Sequence, residues 1–357
     1  MLKDLLDQFI CVRLVKANGL DLRLFQFDYD LTFAAFFLNG DGAIYGRYGS
    51  RSEQKNAAKD ISLEGLRKAL AAALTLHRDY PKNAAALAGK RGPAPKYAVP
   101  EQMPPLTSRH YTAQLDYNGK LAASCIHCHM VGDAERKMFR DAAKPIPDDL
   151  LFSYPMPSLV GLELDPKEIA RVTRVLPGSP AARAGFQSGD EIATVQGQPI
   201  ISIADIQWVL QHAGDSDQLK TGVVRNGQPK ELTLSLGSGW RRGNDFAWRT
   251  TTWDLRRMAF GGLVLEDLPD ENRADAGLTK DALALRVKYV GQYGDHAAGK
   301  RAGFQKDDIL VSVDGKNDRM SEALAIAYLV QNKKPGDRVP IQVLRGKERL
   351  TLDLPLQ

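Results

Sequence analysis

Positions Leu63, Leu66, Leu70, Ala73, Leu74 and His77 share one face at the 3.6-residue period, which predicts a helix over residues 62–77. Ahead of it, the β-forming run 9–15 reads as a strand, with Cys11 as a buried thiol inside it, and residues 2–6 as the end of a helix. Residues 31–38 are almost wholly apolar, as a strand buried on both faces would be. Asn39-Gly40-Asp41-Gly42 then makes a turn, and residues 43–48 return as the second arm of a hairpin. Residues 120–140 read as a helix that ends at Pro145-Ile146-Pro147, and residues 203–212 and 321–331 as two more. Between residues 82 and 106 alanines, glycines and prolines replace the periodic pattern, so this stretch is a linker or an extended segment lying on a neighbour. The fold class expected is multidomain, α/β and α+β.

The C-terminal half contains an internal repeat. Residues 175–199 include Ser-Pro-Ala-Ala-Arg-Ala-Gly-Phe-Gln-Ser-Gly-Asp-Glu-Ile, and residues 290–316 include His-Ala-Ala-Gly-Lys-Arg-Ala-Gly-Phe-Gln-Lys-Asp-Asp-Ile. Gly185 and Gly303 supply backbone freedom after a short helix. Asp190 is expected to tie down the turn before a strand at 192–195, and the second copy departs from the first by placing Asp307 where Gly189 stands. The repeat resembles the core of bacterial PDZ domains, especially those appended to high-temperature-requirement proteases. That resemblance implies a carboxylate-binding loop in each copy, at Leu159-Val160-Gly161-Leu162 and at Phe260-Gly261-Gly262-Leu263. It also implies that protein or peptide C-termini pair with the strand that follows, opposite the helices at 203–212 and 321–331. Closure of one or both grooves by the chain itself is the alternative.

With 357 residues and 43% hydrophobic content, the chain can fold as two to four domains. Its net charge of +5 is dispersed among acids, which argues against nucleic-acid binding, and no apolar run is long enough to span a membrane. Trp240, Trp248 and Trp253 are interleaved with Arg241, Arg242, Arg249, Arg256 and Arg257. This stretch is either a nucleic-acid or glycan surface or a connector anchored by large aromatics. Neither Gly-x-Ser-x-Gly nor His-Glu-x-x-His occurs.

Three cysteines are too few for a disulfide framework, but two of them fall in Cys125-Ile126-His127-Cys128-His129. Cys-x-x-Cys-His is the attachment sequence of c-type haem, with two thiols for the porphyrin and His129 as an axial ligand to the iron. Met156, before Pro157, is the candidate distal ligand; Met138 and His110 are rivals, and plain core filling is the alternative for Met156. Zinc held with His127, His129 or His110 is a second reading of the pair, and a redox dithiol a third. Haem implies a periplasmic or otherwise exported protein and an electron-transfer partner. Residues 1–8 do not read as a signal peptide, because acids interrupt them.

Residues 24–33, Leu-Phe-Gln-Phe-Asp-Tyr-Asp-Leu-Thr-Phe, together with the repeats, resemble bacterial proteins that join a thioredoxin-like domain to C-terminal PDZ repeats. Some members of that family carry selenocysteine. The resemblance implies a partial thioredoxin-like domain at 1–80, with Met1 an internal methionine downstream of a recoded stop codon. A linker at 81–106 and a short Cys-x-x-Cys-His segment at 107–150 would follow. The rest would be a PDZ domain at 151–238, a Trp/Arg-rich connector at 239–258 and a second PDZ domain at 259–357. The function expected is an exported, redox-linked scaffold carrying haem c. The alternatives are a non-enzymatic PDZ adaptor with structural zinc, or a truncated thiol or selenol oxidoreductase.

Overall fold

The computed structural model describes residues 2–55, 57–119 and 121–357. Lys120 and the expectation about Met1 fall outside the described residues; the helix expected from residue 120 begins only at Cys128, after a 3₁₀ turn over Leu121–Ser124. The chain divides into two compact units, residues 1–131 with 152–244, and residues 132–151 with 245–357.

In the first unit, α1 (Leu2–Leu6) precedes an antiparallel hairpin, β1 (Ala35–Leu38) with β2 (Ile44–Tyr48). The Asn39 carboxamide oxygen accepts from the N–H groups of Asp41 and Ala43 and so fixes the hairpin turn. The predicted helix is α2 (Leu63–Arg78), with the Ser62 hydroxyl accepting from Gly65 N–H at 2.9 Å as its N-cap. Only the last four residues of the expected strand 31–38 are extended and paired, because Asp28 folds 28–31 into a turn by accepting from Asp30 N–H. Residues 10–15 pair with no strand among the described residues; Ile10 is 96% exposed and Cys11 is exposed, not buried. What stands at residues 1–80 is thus a two-stranded hairpin on a helix, and a thioredoxin-like domain is not shown.

The proline-rich stretch carries α3 (Ala84–Leu87) and α4 (Pro104–Thr107) and buries Leu87, Lys90, Met103 and Leu106. After it come α5 (Cys128–Asp141), within which the boundary between the units falls, and α6 (Asp148–Leu151).

The first repeat comprises β3 (Leu162–Leu164) paired with β4 (Val172–Val175), then α7 (Pro180–Arg183). It continues with β5 (Glu191–Val195), β6 (Gln198–Pro199), α8 (Ile203–His212), β7 (Gln218–Arg225) and β8 (Gln228–Ser235), with strand order β6-β5-β7-β8. Its core joins Val160, Leu162, Phe186, Ile192, Ile206, Leu210, Leu219 and Val223. The other side of α8 is also buried. Asp205 accepts from the N–H groups of Arg47 and Ile201 and pairs with Lys90 at 3.0 Å, Trp208 donates to Gly89, and the Arg47 guanidinium lies 3.5 Å above the Trp208 ring. Burial lowers the Lys90 pKa, and Asp205 opposes that shift.

The second unit opens with α9 (Thr252–Phe260), β9 (Leu263–Asp267), α10 (Asp270–Asp275) and β10 (Leu285–Val290). It closes with α11 (Ala298–Arg301), β11 (Ile309–Val313), α12 (Glu322–Asn332), β12 (Arg338–Arg345) and β13 (Glu348–Pro355). The strands form one antiparallel sheet in the order β13-β12-β11-β10-β9, so β9 is an edge strand.

Candidate functional site

Each repeat brings a loop, an edge strand and a helix close together. In the first, a 3₁₀ turn over Pro157–Val160 leads through Gly161 into β3. Gly161 sits at φ +92°, and a Cβ there would come within 2.1 Å of the Ser179 hydroxyl oxygen. Gly161 C=O accepts from Leu176 N–H and Asp165 N–H donates to Arg171 C=O, so the intervening Leu162 and Leu164 turn their backbone groups away from β4. No strand pairs with that outer edge among the described residues.

The loop's own donors are partly engaged. Leu159 N–H donates to Met156 C=O and Gly161 N–H to Ser158 C=O. On α8, Gln207 donates to Tyr154 C=O at 3.0 Å and Gln211 accepts from Tyr154 N–H at 2.5 Å, so the chain lies over that part of the helix. Arg241 donates to the carbonyls of Leu210, Gln211 and Ala213 and caps the C-terminus of α8. Trp240 packs against the same core and donates to Gly214 C=O, which makes this part of the Trp/Arg-rich stretch structural cement.

In the second repeat, Gly261 and Gly262 adopt φ +59° and +88° and terminate α9, donating to Arg257 C=O and Arg256 C=O. Gly291 N–H donates to Gly262 C=O, which again turns Leu263 and Leu265 outward. Here the outer edge is not bare. Leu265 N–H donates to the Glu322 carboxylate at 2.7 Å, and Arg256 grips both oxygens of the same carboxylate at 2.9 and 2.5 Å. Glu322 is 4% exposed. The corresponding first residue of α8 is Ile203, which offers no such acceptor.

The Cys-x-x-Cys-His turn lies elsewhere, at the start of α5. Ile126 is fully buried between the two cysteines. Its N–H donates to the Asn18 carboxamide oxygen at 2.7 Å, and its C=O accepts from Ala17. Asn18 in turn donates to Thr112 C=O and Ser124 C=O. The His127 and His129 rings stack on each other at 5.9 Å, and the sulfur that meets this turn is Met130, accepting from His127 N–H. Met156 is half-buried and precedes the first groove loop.

These residues do not fit haem c. The peptide that would sit over a porphyrin is anchored into the protein interior through Ile126, and burial pushes the Cys128 thiol up, toward its protonated form. Nor do they fit zinc, since no three His, Cys, Asp or Glu side chains among the described residues come together to hold a metal ion.

Comparison with known proteins bears on the same points. One PDZ domain family model matches residues 171–225 and another PDZ domain model matches residues 289–356. The chain is similar to the periplasmic pH-dependent serine endoprotease DegQ of Escherichia coli, at 28% identity over 53% of this chain and 37% of that protein. It is 37% identical to a probable periplasmic serine endoprotease DegP-like of Pseudomonas savastanoi pv. phaseolicola, over 51% of this chain and 36% of that one. The chain thus spans little more than a third of the length of these curated relatives. Among solved structures, the HtrA3 PDZ domain bound to a phage-derived ligand shares 28% identity, covering 23% of this chain and 76% of that chain, with a TM-score of 0.17.

These relatives overturn the expected kinship with thioredoxin-like selenoproteins, and with it the redox-linked scaffold, the haem and the thiol or selenol oxidoreductase. No helix among the described residues is long and apolar enough to cross a membrane. In its C-terminal half this mixed α/β chain carries two PDZ domains.

Proposed function

We propose that the chain is the peptide-capturing part of an exported protein, and that its first PDZ domain does the capturing. The observation that carries this reading is the outer edge of β3, where the backbone groups of Leu162 and Leu164 turn away from β4 and pair with no described strand; Ile203, in the first turn of α8, is 7% exposed and lines a small cavity with Tyr48, Gly49, Ile61 and Pro166. An extended peptide would add as a further strand there, its carbonyls accepting from those N–H groups. Leu162 N–H would meet the terminal carboxylate, and Gly161 N–H would join it by exchanging Ser158 C=O for the ligand. Val160, buried behind the loop, would support the cradle, and Leu159 would border it. Peptide binding is what PDZ domains do, and the periplasmic relatives support an exported location.

The test is selection of binders from a library of peptides displayed with free C-termini, followed by fluorescence anisotropy on the intact chain. Each selected peptide is compared as the free acid and as the C-terminal amide. About tenfold weaker binding is expected for the amide, and again for the Leu164→Pro variant, whose edge position tolerates proline but loses the donor. Equal affinity for acid and amide, together with indifference to Leu164→Pro, would overturn this reading.

A further inference from the structure

We infer that the second PDZ domain is held shut by its own helix α9, latched through Arg256 and Glu322 onto the edge strand that a peptide would need. The parts of the latch come from three elements of one unit. Arg256 projects from α9, Glu322 is the first residue of α12, and Leu265 lies in the middle of β9. Helix α9 packs against both β9 and α12, the two walls of the groove, and buries Leu255, Met258, Ala259 and Phe260 there or in the adjoining core.

The chemistry of the latch mimics what a bound strand would offer. An added strand pairs with an outward N–H by presenting a carbonyl oxygen. At Leu265 that oxygen is supplied by Glu322, whose charge is matched by a two-pronged guanidinium contact with the side chain of Arg256 nearly buried. The loop donors are engaged in the same way, since Gly261 and Gly262 N–H groups terminate α9 and are turned to its carbonyls. A peptide therefore meets an edge already hydrogen-bonded at Leu265 and two loop donors, Gly261 and Gly262, already engaged, and these are released together if α9 swings away. The first domain differs at the edge, with Ile203 in place of Glu322 and a short 3₁₀ turn in place of α9, although its Gly161 N–H is likewise turned to a loop carbonyl. Nothing in this latch depends on peptide capture by the first domain.

Amide hydrogen exchange resolved to single residues on the full chain tests it. Leu265 N–H, although on a sheet edge, is expected to exchange at least tenfold more slowly than Leu164 N–H on the corresponding edge of the first domain. The double variant Arg256→Met/Glu322→Leu removes both charges without leaving either buried alone. In it, Leu265 exchange should accelerate at least tenfold while Leu310 and Val343, in β11 and β12, stay slow and report an intact sheet. Should the double variant lose protection throughout β11 and β12, Glu322→Gln, which keeps the shape and weakens the grip, is read at the same amide. Leu265 exchanging as fast as Leu164 in the wild-type chain, or as slowly in the folded variant as in the wild type, would overturn the latch.

Discussion

Arg225 Nε lies 2.7 Å from the Asp190 carboxylate, and its Nη2 donates both to that carboxylate and to Gly185 C=O at 2.8 Å. The second repeat reproduces the arrangement, with Arg345 2.8 Å from Asp308 and donating to Gly303 C=O at 2.8 Å. In each copy the carboxylate also accepts the N–H three residues before it, Gln187 or Gln305, at 2.9 Å. One buried aspartate thus ties the short-helix loop to the end of the long hairpin, where β7 turns into β8 and β12 into β13.

Asp190→Ala should cost about 2–3 kcal/mol in urea unfolding at pH 7, because Gln187 N–H loses its acceptor and Arg225 its partner. Burial alone would raise the Asp190 pKa, but hydrogen bonds from Arg225 and Gln187 outweigh it and hold the carboxyl below the usual carboxylate range. Its stabilisation is therefore present above the unfolded value of 3.8 and is lost as pH falls through the lowered folded value. The gap between wild type and variant should narrow on acidification below that point.

Asp307→Gly should stabilise the second domain by about 0.5–1 kcal/mol. Asp307 holds φ +70° at the turn where its counterpart Gly189 holds +91°, so the backbone shape is kept at the expense of a left-handed conformation in a residue with a Cβ. A rise in the urea midpoint without change in slope is the expected readout.

Gly262→Ala should destabilise the second domain by more than about 2 kcal/mol. Its φ is +88°, and a Cβ there would meet the His296 carbonyl oxygen at 2.0 Å, a backbone atom that cannot rotate aside. Gly277→Ala is the control, since that glycine also has positive φ but nothing stands within 4 Å of its added Cβ. The difference between their thermal midpoints isolates the clash from the backbone strain.

Glu135→Gln should raise stability above neutral pH and leave it unchanged near pH 4. Burial pushes the Glu135 carboxyl up to about 7; Arg136 opposes this and Asp149 adds to it. The group's contribution is fully present below its unfolded value of 4.5 and is lost as pH rises through about 7. Thermal unfolding at pH 8 should show a gain of up to about 3 kcal/mol for the glutamine variant.

Much of the local architecture is legible along the chain. The periodic apolar face over α2 and the serines at 62, 202 and 321 mark real helix starts, because a cap and its first turn lie within three residues of each other. The two Ala-Gly-Phe segments mark the PDZ copies for the same reason, since helix, turn and strand are neighbours in sequence. Where an apolar run carried no such local partner the reading failed, as at residues 10–15, which are extended but pair with no described strand.

The cysteine-histidine turn shows the limit from the other side. Its spacing suits haem, yet what fixes it is Asn18, 108 residues away from Ile126. The Leu265–Glu322 contact spans 57 residues and the Arg256–Glu322 pair 66, and no periodicity or motif announces either. By itself the sequence determined the helices α2, α8 and α12, the hairpin turn and the two PDZ copies, since propensity, capping and turn chemistry act between close neighbours. Only the tertiary structure decided which edge strand is bare and which is latched, because a backbone donor's partner depends on what the fold brings beside it.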